Sequence, residues 1–464
     1  MKNRMSFSKF KLISLFIVLS ILRSDDGDLI SYNHQNTLSL MLIEILLDGG
    51  GISGSNPIYP VSIYEIAYES HRPDGTIDTL GGLISIPRSS GKAFPIASYQ
   101  HGTVVLDENA PSITGATVNN YEVLLVALMA SPSGLITLFP DYEGLGDPNK
   151  YHPYIIADSY TRSVVNMVRA VKELSFTLEG DDQFQFNGQL FLFGYSEGGY
   201  ATLAAQKGIQ FNFSDELTVT ASFPMAGPYN LSETTVDFFL SIPNYDQPYY
   251  VPYVLTSHLW YYDGLDADFN QYFEPFWADT LASLFDGTHS GTEINLLMPS
   301  NPLEILLEEE LNDFTENENN FFRQTFIENN LTDWMPTSPT YLLHSLGDSI
   351  IISTNSQVTY DSFIENGALE VYLNLYPEEV GGHAEAAPIL INDAFNLILD
   401  YQIINPIGDF NADGYLTEND YSLLSQSILD QEFISDYQWW SGDLDYDDEH
   451  TIFDIIILID STQD

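Results

Sequence analysis

The sequence predicts an α/β fold, a mostly parallel sheet with helices on both faces, followed by a small all-α module at the C-terminus. Three observations predict it. Apolar strand-like runs alternate with helical ones from Val61 to Ala205. A Gly-x-Ser-x-Gly turn stands at one strand-to-helix junction, and two acidic loops of matching phase precede short apolar helices near the end. The 464 residues exceed one typical domain, and 44% hydrophobic content is enough for a sizeable core.

Charge and cysteine usage narrow the functions. With 14 basic and 66 acidic residues, the net charge is −52. Such a field repels phosphate backbones and anionic membranes, so nucleic-acid binding is excluded, while solubility, cation binding or a salty medium is favoured. The chain has no cysteine. That excludes disulfides, thiolate catalysis and Cys-ligated metal sites, and also acylation as a lipoprotein.

Residues 1–24 are expected to be a signal peptide. Lys2, Arg4, Lys9 and Lys11 precede the apolar run Leu12 to Leu22, and Asp25, Asp26 and Asp28 follow. The run is shorter than the roughly 20 residues that cross a bilayer as a helix, so export is expected rather than a stable membrane anchor. Residues 25–60 form an N-terminal segment.

The elements then follow in order. Val61 to Glu69 and Leu80 to Pro87, around the turn Pro73-Asp74-Gly75, read as a hairpin-like start. Phe94 to Tyr99 is an apolar strand, Tyr121 to Ala130 a buried helix, and Leu135 to Phe139 a strand stopped by Pro140. Ser163 to Leu174 sets Val164, Val168, Val171 and Leu174 on one helical face. Gln189 to Phe193 is a strand and Tyr200 to Ala205 helix-like.

Between those last two lies Gly194-Tyr195-Ser196-Glu197-Gly198-Gly199. A serine on so sharp a turn leaves no room for side chains two positions before or after it, which is why glycines flank it. A serine hydroxyl is a weak nucleophile until a base takes its proton, so a histidine and an orienting acid are required. Where this turn is used the chain order is serine, acid, histidine. His383, in Gly381-Gly382-His383, is then the candidate base, because the other late histidine, His450, falls in the acidic C-terminal module. The acid is expected to follow a strand. Tyr341 to Ser345 reads as one, and Asp348 comes next after Leu346-Gly347, with Asp361 and Glu365 as alternatives. Backbone N–H donors for a developing oxyanion are expected from Glu197 and from Thr103, or else Gly102, in Gln100-His101-Gly102-Thr103.

With Pro140-Asp141-Tyr142-Glu143-Gly144-Leu145-Gly146, His152-Pro153-Tyr154 and the helix through Arg169-Ala170, these motifs resemble the α/β-hydrolase superfamily, and within it the secretory lipases and esterases. The resemblance covers about residues 61–403. It implies a Ser196, Asp348, His383 triad that hydrolyses carboxylic esters through an acyl-enzyme, with no catalytic cofactor. The stretch from about 229 to 339 breaks the alternation and is rich in Phe238, Phe239, Tyr245, Tyr249, Tyr250, Tyr253, Trp260, Tyr261 and Tyr262. It is expected to be a helical lid, its aromatics lining the substrate pocket or packing the lid's own core.

Residues 404–464 read as a separate calcium-binding module. Asp409, Asn411, Asp413 and Asp420 take loop positions 1, 3, 5 and 12, with Tyr415 at position 7 and Gly414 at position 6. Asp443, Asp445, Asp447 and Asp454 repeat the phase, with Glu449 at position 7 but Asp448 in place of the glycine. Apolar helices, Tyr421 to Leu429 and Ile455 to Ile459, follow the loops. The arrangement resembles a type I dockerin, which implies two Ca2+ loop–helix repeats and a cohesin-type partner. A calcium-stabilised cap without a partner is the plainer alternative. The whole reads as a secreted serine esterase or lipase. A serine peptidase on the same fold, or an inert calcium-dependent binding component, remain the other readings.

Overall fold

The computed structural model describes residues 26–50, 52, 56–89, 91–430, 434–447 and 449–462. The expected signal peptide, and Asp448, therefore lie outside the described residues.

One sheet of ten strands organises the fold: β1 (Leu29–Leu38), β2 (Val61–His71), β3 (Ile77–Pro87), β4 (Lys92–Gln100), β5 (Ile136–Pro140), β6 (Gln185–Tyr195), β7 (Val219–Met225), β8 (Thr340–Ser345), β9 (Val371–Tyr376) and β10 (Asn405–Pro406). The spatial order is β1-β2-β3-β5-β4-β6-β7-β8-β9, with β10 added to β4. Strands β1, β2, β3 and β5 pair antiparallel, whereas β5-β4-β6-β7-β8-β9 run parallel. The parallel part is covered on both faces, which is why its central strands are continuous apolar runs such as Leu190 to Phe193.

Helices Tyr121–Ala130, Ala157–Ser175, Glu197–Asn212 and His383–Tyr401 cover the sheet. Each predicted strand or helix of the 61–205 stretch is present, with the helix over Ser163 to Leu174 starting earlier, at Ala157. Residues 229–339 form a helical insertion between β7 and β8, and its apolar side chains share one core cluster with Tyr142, Tyr154 and Tyr200.

The N-terminal segment is part of the sheet, which its sequence pattern does not predict. It supplies edge strand β1 and the helix Leu40–Gly50. Most of β1 is exposed, so it lacks the apolar alternation by which a strand is recognised.

The C-terminal residues hold a small core of Phe410, Leu424 and Leu458. They also join the large sheet: β10 pairs with Lys92 and Ala93 of β4, and the Asn187 amide on β6 donates to Asn405 Oδ1 at 2.7 Å. Asn405 donates in turn to Asp409, the first residue of the first acidic loop, at 2.8 Å. Among the described residues no helix is long and apolar enough to cross a membrane.

Candidate active site

Ser196 stands between β6 and the helix Glu197–Asn212 with φ +64°, a conformation an L-residue adopts only under constraint. The constraint is steric and local. A β-carbon on Gly194 would lie 2.5 Å from the carbonyl oxygens of Gln100 and Gly198, and one on Gly198 would lie 1.9 Å from that of Gln100. On Gly199 it would lie 2.1 Å from the Met225 oxygen. The turn is pressed between the ends of β4 and β7, and the Ser196 N–H is tied to the Met225 carbonyl at 2.9 Å.

Three of the predicted residues meet there. His383 Nε2 is 2.8 Å from Ser196 Oγ, and His383 Nδ1 is 2.6 Å from Asp348 Oδ2. Asp361 and Glu365, the alternative acids, are exposed on the helix Thr354–Glu365. Asp348 follows β8 in a tight turn, where its Oδ1 accepts the N–H groups of Ile350 and Ile351, both at 2.9 Å. Burial opposes its charge, but hydrogen bonds from His344 and His383 prevail and hold the carboxyl well below the usual carboxylate range. A carboxylate only accepts, so His383 Nδ1 carries the hydrogen and Nε2 is left to accept from Ser196.

His383 differs from expectation in one respect. It is not on a freely swinging loop but opens a 19-residue helix, with its carbonyl held by the Tyr195 hydroxyl at 2.6 Å. The adjoining turn is fixed by Ser345 Oγ, which donates to the Gly381 carbonyl at 2.7 Å.

The loop after β4 lies against this turn. The Gly102 N–H donates to Glu122 Oε1 at 2.9 Å, so it is already used. No hydrogen bond among the described residues engages the N–H of Thr103 or of Glu197. The Glu197 side chain points away into the interior, where it meets Tyr160 OH at 2.8 Å and His152 Nε2 at 2.9 Å. His152 Nδ1 donates to the Glu143 carbonyl at 2.8 Å.

Sequence reasoning missed Glu122, His344 and the His152–Glu197 contact. His344 is fully buried, its Nε2 2.8 Å from the Ile351 carbonyl and 3.4 Å from Asp348 Oδ2. A histidine inside an otherwise apolar strand was the available signal. For Glu122 there was none, since it is a helix residue 20 positions from the glycine it holds.

A cavity reaches from Ser196 into the insertion. Phe238, Phe239, Tyr245 and Tyr250 line it, as do Val236, Leu303 and Ile351, and no lining residue is charged. Tyr249, Tyr253 and Trp260 belong instead to the buried core. Tyr261 and Tyr262 do neither, the first half-buried and the second exposed.

Asp141, one of the motif residues after β5, is buried and accepts both the N–H and the hydroxyl of Ser112. Burial pushes its carboxyl up to about 6 despite those two bonds. A carboxyl raised on folding stabilises the protein most below its unfolded value of about 3.9, and that contribution is lost as pH rises through about 6. Asp141→Asn, which keeps an acceptor for the N–H, is therefore expected to be more stable than wild type at pH 8 by on the order of 2 kcal/mol. Urea unfolding at pH 4 and 8 checks this, the gain shrinking towards pH 4.

The two acidic loops share one backbone design. Position 4 has positive φ in both, 61° at Ala412 and 60° at Tyr446. The first carboxylate accepts the N–H of position 5, in Asp409 from Asp413 and in Asp443 from Asp447, each at 3.1 Å. The last accepts those of positions 3 and 9: Asp420 from Asn411 and Thr417, Asp454 from Asp445 and Thr451. Carboxylate oxygens of Asp443, Asp445 and Asp447 converge to within 4.8 Å of one another. Such a set of hard oxygens fits Ca2+. Tyr415 and Glu449 follow at position 7, their N–H groups bonded to Asp413 and Asp447 at 3.0 and 2.9 Å. The helices after the loops are Glu418–Asp430 and Ile452–Ser461, longer than expected, and a further helix, Asp436–Gly442, lies between them.

No family model matches the chain, and no curated protein sequence matches it. Solved structures do. A protein of Legionella pneumophila assigned as a hydrolase is 27% identical with a TM-score of 0.72, over 80% of this chain and 98% of that one. The rice cell wall degrading esterase LipA of Xanthomonas oryzae is 25% identical with a TM-score of 0.70, over 81% and 98%. Lipase A of Candida antarctica in its closed state shares the fold at 14% identity and a TM-score of 0.58, over 80% and 83%. The chain accordingly has the α/β-hydrolase fold, and its neighbours support an enzyme of the hydrolase class, of esterase type.

Proposed function

We propose that the chain is a secreted serine ester hydrolase working through Ser196, His383 and Asp348. The observation that carries this reading is the unbroken path from Ser196 Oγ through His383 to Asp348, at 2.8 and 2.6 Å, at the mouth of an uncharged apolar cavity. His383 Nε2 takes the serine proton as Oγ bonds to the ester carbonyl carbon. The negative oxygen of the tetrahedral intermediate is received by the N–H groups of Glu197 and Thr103. The intermediate collapses to an acyl-serine, and His383 returns its proton to the departing alcohol. Water then repeats the sequence to release the acid. Asp348, held ionised, keeps His383 in the required tautomer and steadies the imidazolium.

The insertion would act as a lid and its cavity would take the acyl group, because apolar walls gain by excluding water from a hydrocarbon chain. A peptidase would need a charged group to hold a peptide terminus, and the cavity lining has none. The cell-wall activity named for the Xanthomonas neighbour, together with a dockerin-like tail, favours esters met near polysaccharide. The test is hydrolysis of p-nitrophenyl esters from acetate to palmitate beside a peptide anilide. The expected result is turnover that improves beyond acetate and no anilide cleavage. Anilide activity alone would establish the peptidase reading, and silence on both the inert one.

The C-terminal loops would bind two Ca2+ ions, through Asp409, Asn411, Asp413, Tyr415 and Asp420, and through Asp443, Asp445, Asp447, Glu449 and Asp454. The module would offer a surface to a cohesin-type domain. Addition of Ca2+ to chelator-treated protein is expected to raise the melting temperature by several degrees, since a ligand that binds only the folded state stabilises it. Isothermal titration of wild type against Asp443→Asn should show one site fewer in the variant.

A further inference from the structure

Four consecutive residues of the loop after β4 are each held by a side chain, three of them buried tyrosines and the fourth the partly buried Glu122. The Tyr142 hydroxyl donates to the His101 carbonyl at 3.0 Å, and Glu122 accepts the Gly102 N–H. Thr103 Oγ1 is 3.0 Å from the Tyr154 hydroxyl, and the Tyr253 hydroxyl donates to the Val104 carbonyl at 3.3 Å. Tyr142 and Tyr154 come from the stretch after β5 and Glu122 from the helix Tyr121–Ala130. Only Tyr253 among these four belongs to the insertion, on its helix Tyr250–Tyr262.

The Tyr253 ring also lies flat on Tyr154, with centroids 4.2 Å apart and planes 7° apart. Phe285 of the insertion stacks on it too, at 4.8 Å and 5°. A shift of the insertion helix would therefore move the Val104 tether and the ring that steadies the Thr103 tether together. Burial pushes both phenols far above their ordinary value, so both hydroxyls keep their hydrogens throughout the working range. The N–H of Thr103 lies just before both tethers, on the Gly102–Thr103 peptide, whose carbonyl accepts from His101 Nδ1 at 2.7 Å, so its direction depends on how the residue that carries it is held from either side.

We propose that Tyr253 is a positioning residue for the oxyanion donor, through which the helical insertion sets the Thr103 N–H. The inference rests on the ester-hydrolase reading above and adds to it the link between the insertion and the reacting carbonyl. Donors act in the transition state rather than in substrate binding, and a small misalignment costs turnover.

Tyr253→Phe keeps the stacked rings and deletes one hydroxyl. It is expected to lower kcat about tenfold on p-nitrophenyl butyrate while KM stays within about twofold. The inhibition constant of an alkyl trifluoromethyl ketone, which forms a negatively charged tetrahedral adduct on serine, should rise by about the same factor. A Tyr253 that merely packs would leave kcat and inhibition constant at wild-type values in Tyr253→Phe, and that result overturns the proposal. So does a fall in kcat with the ketone bound as tightly as before. Tyr154→Phe, which removes the hydroxyl at Thr103, is expected to give the same split. If Tyr253→Phe fails to fold, wild-type kcat and inhibition in Tyr154→Phe overturn the proposal. Wild-type protein without Ser196-dependent ester turnover would overturn the parent reading and this one with it, a result told apart by the absence of activity before any tyrosine is changed.

Discussion

Ser196→Ala is expected to lower turnover of p-nitrophenyl esters by about four to six orders of magnitude, with the fold intact. The size follows from the geometry. Alanine deletes the oxygen that His383 Nε2 meets at 2.8 Å, and with it the acyl-enzyme route. His383→Ala should fall in the same range, because the hydroxyl then has no base. Asp348→Asn should lose about four orders, since an amide at Oδ2 would donate to Nδ1 and turn the imidazole's hydrogen toward the serine. The double variant Ser196→Ala/His383→Ala should be no worse than either alone, because the two act as a unit. Initial rates, with mass spectrometry of fluorophosphonate-treated protein, check this. Wild type should gain one phosphonyl group and Ser196→Ala none; retained turnover in Ser196→Ala would place the nucleophile elsewhere.

Gly198→Ala should be the most damaging single-methyl change in the turn. The new carbon would lie 1.9 Å from the Gln100 carbonyl oxygen and 2.8 Å from that of His101, both backbone atoms at the end of a central strand. Nothing flexible is available to yield, so β4 and the loop after it must move. The expected cost is about 3 kcal/mol or more in urea unfolding. Turnover of the folded fraction should fall by about a hundredfold or more, as the Thr103 and Glu197 N–H groups move apart. Gly49→Ala is the control: a β-carbon there meets nothing within 4 Å, so stability should be unchanged or slightly raised.

Much of the fold and part of the site are legible in the sequence, for physical reasons. Parallel strands buried on both faces are apolar throughout, so β4, β5 and β6 announce themselves, and the glycines around Ser196 answer to crowding within a few residues. Asp348 could be found because a strand, a tight turn and an acid are consecutive. Edge strand β1 was invisible, since nearly all of it faces solvent and nothing selects an alternating pattern. The supports of the site were equally hidden. Tyr253 holds a carbonyl 149 positions away, and His152 meets Glu197 across 45, separations that only the closed sheet brings together. Aromatics in the insertion could be counted but not sorted, because cavity and core draw on the same residue types.

The positive φ of Ser196 has a bearing on natural selection. Holding a side chain in that region costs on the order of 1 kcal/mol, and glycine would remove the strain without any other change to the turn. Were the chain maintained only as a scaffold, drift under selection for stability would favour glycine at this position. A serine there carries a stability cost that glycine would not, the form a trade-off between stability and activity takes, and Ser196 is the one serine among the described residues with a positive φ.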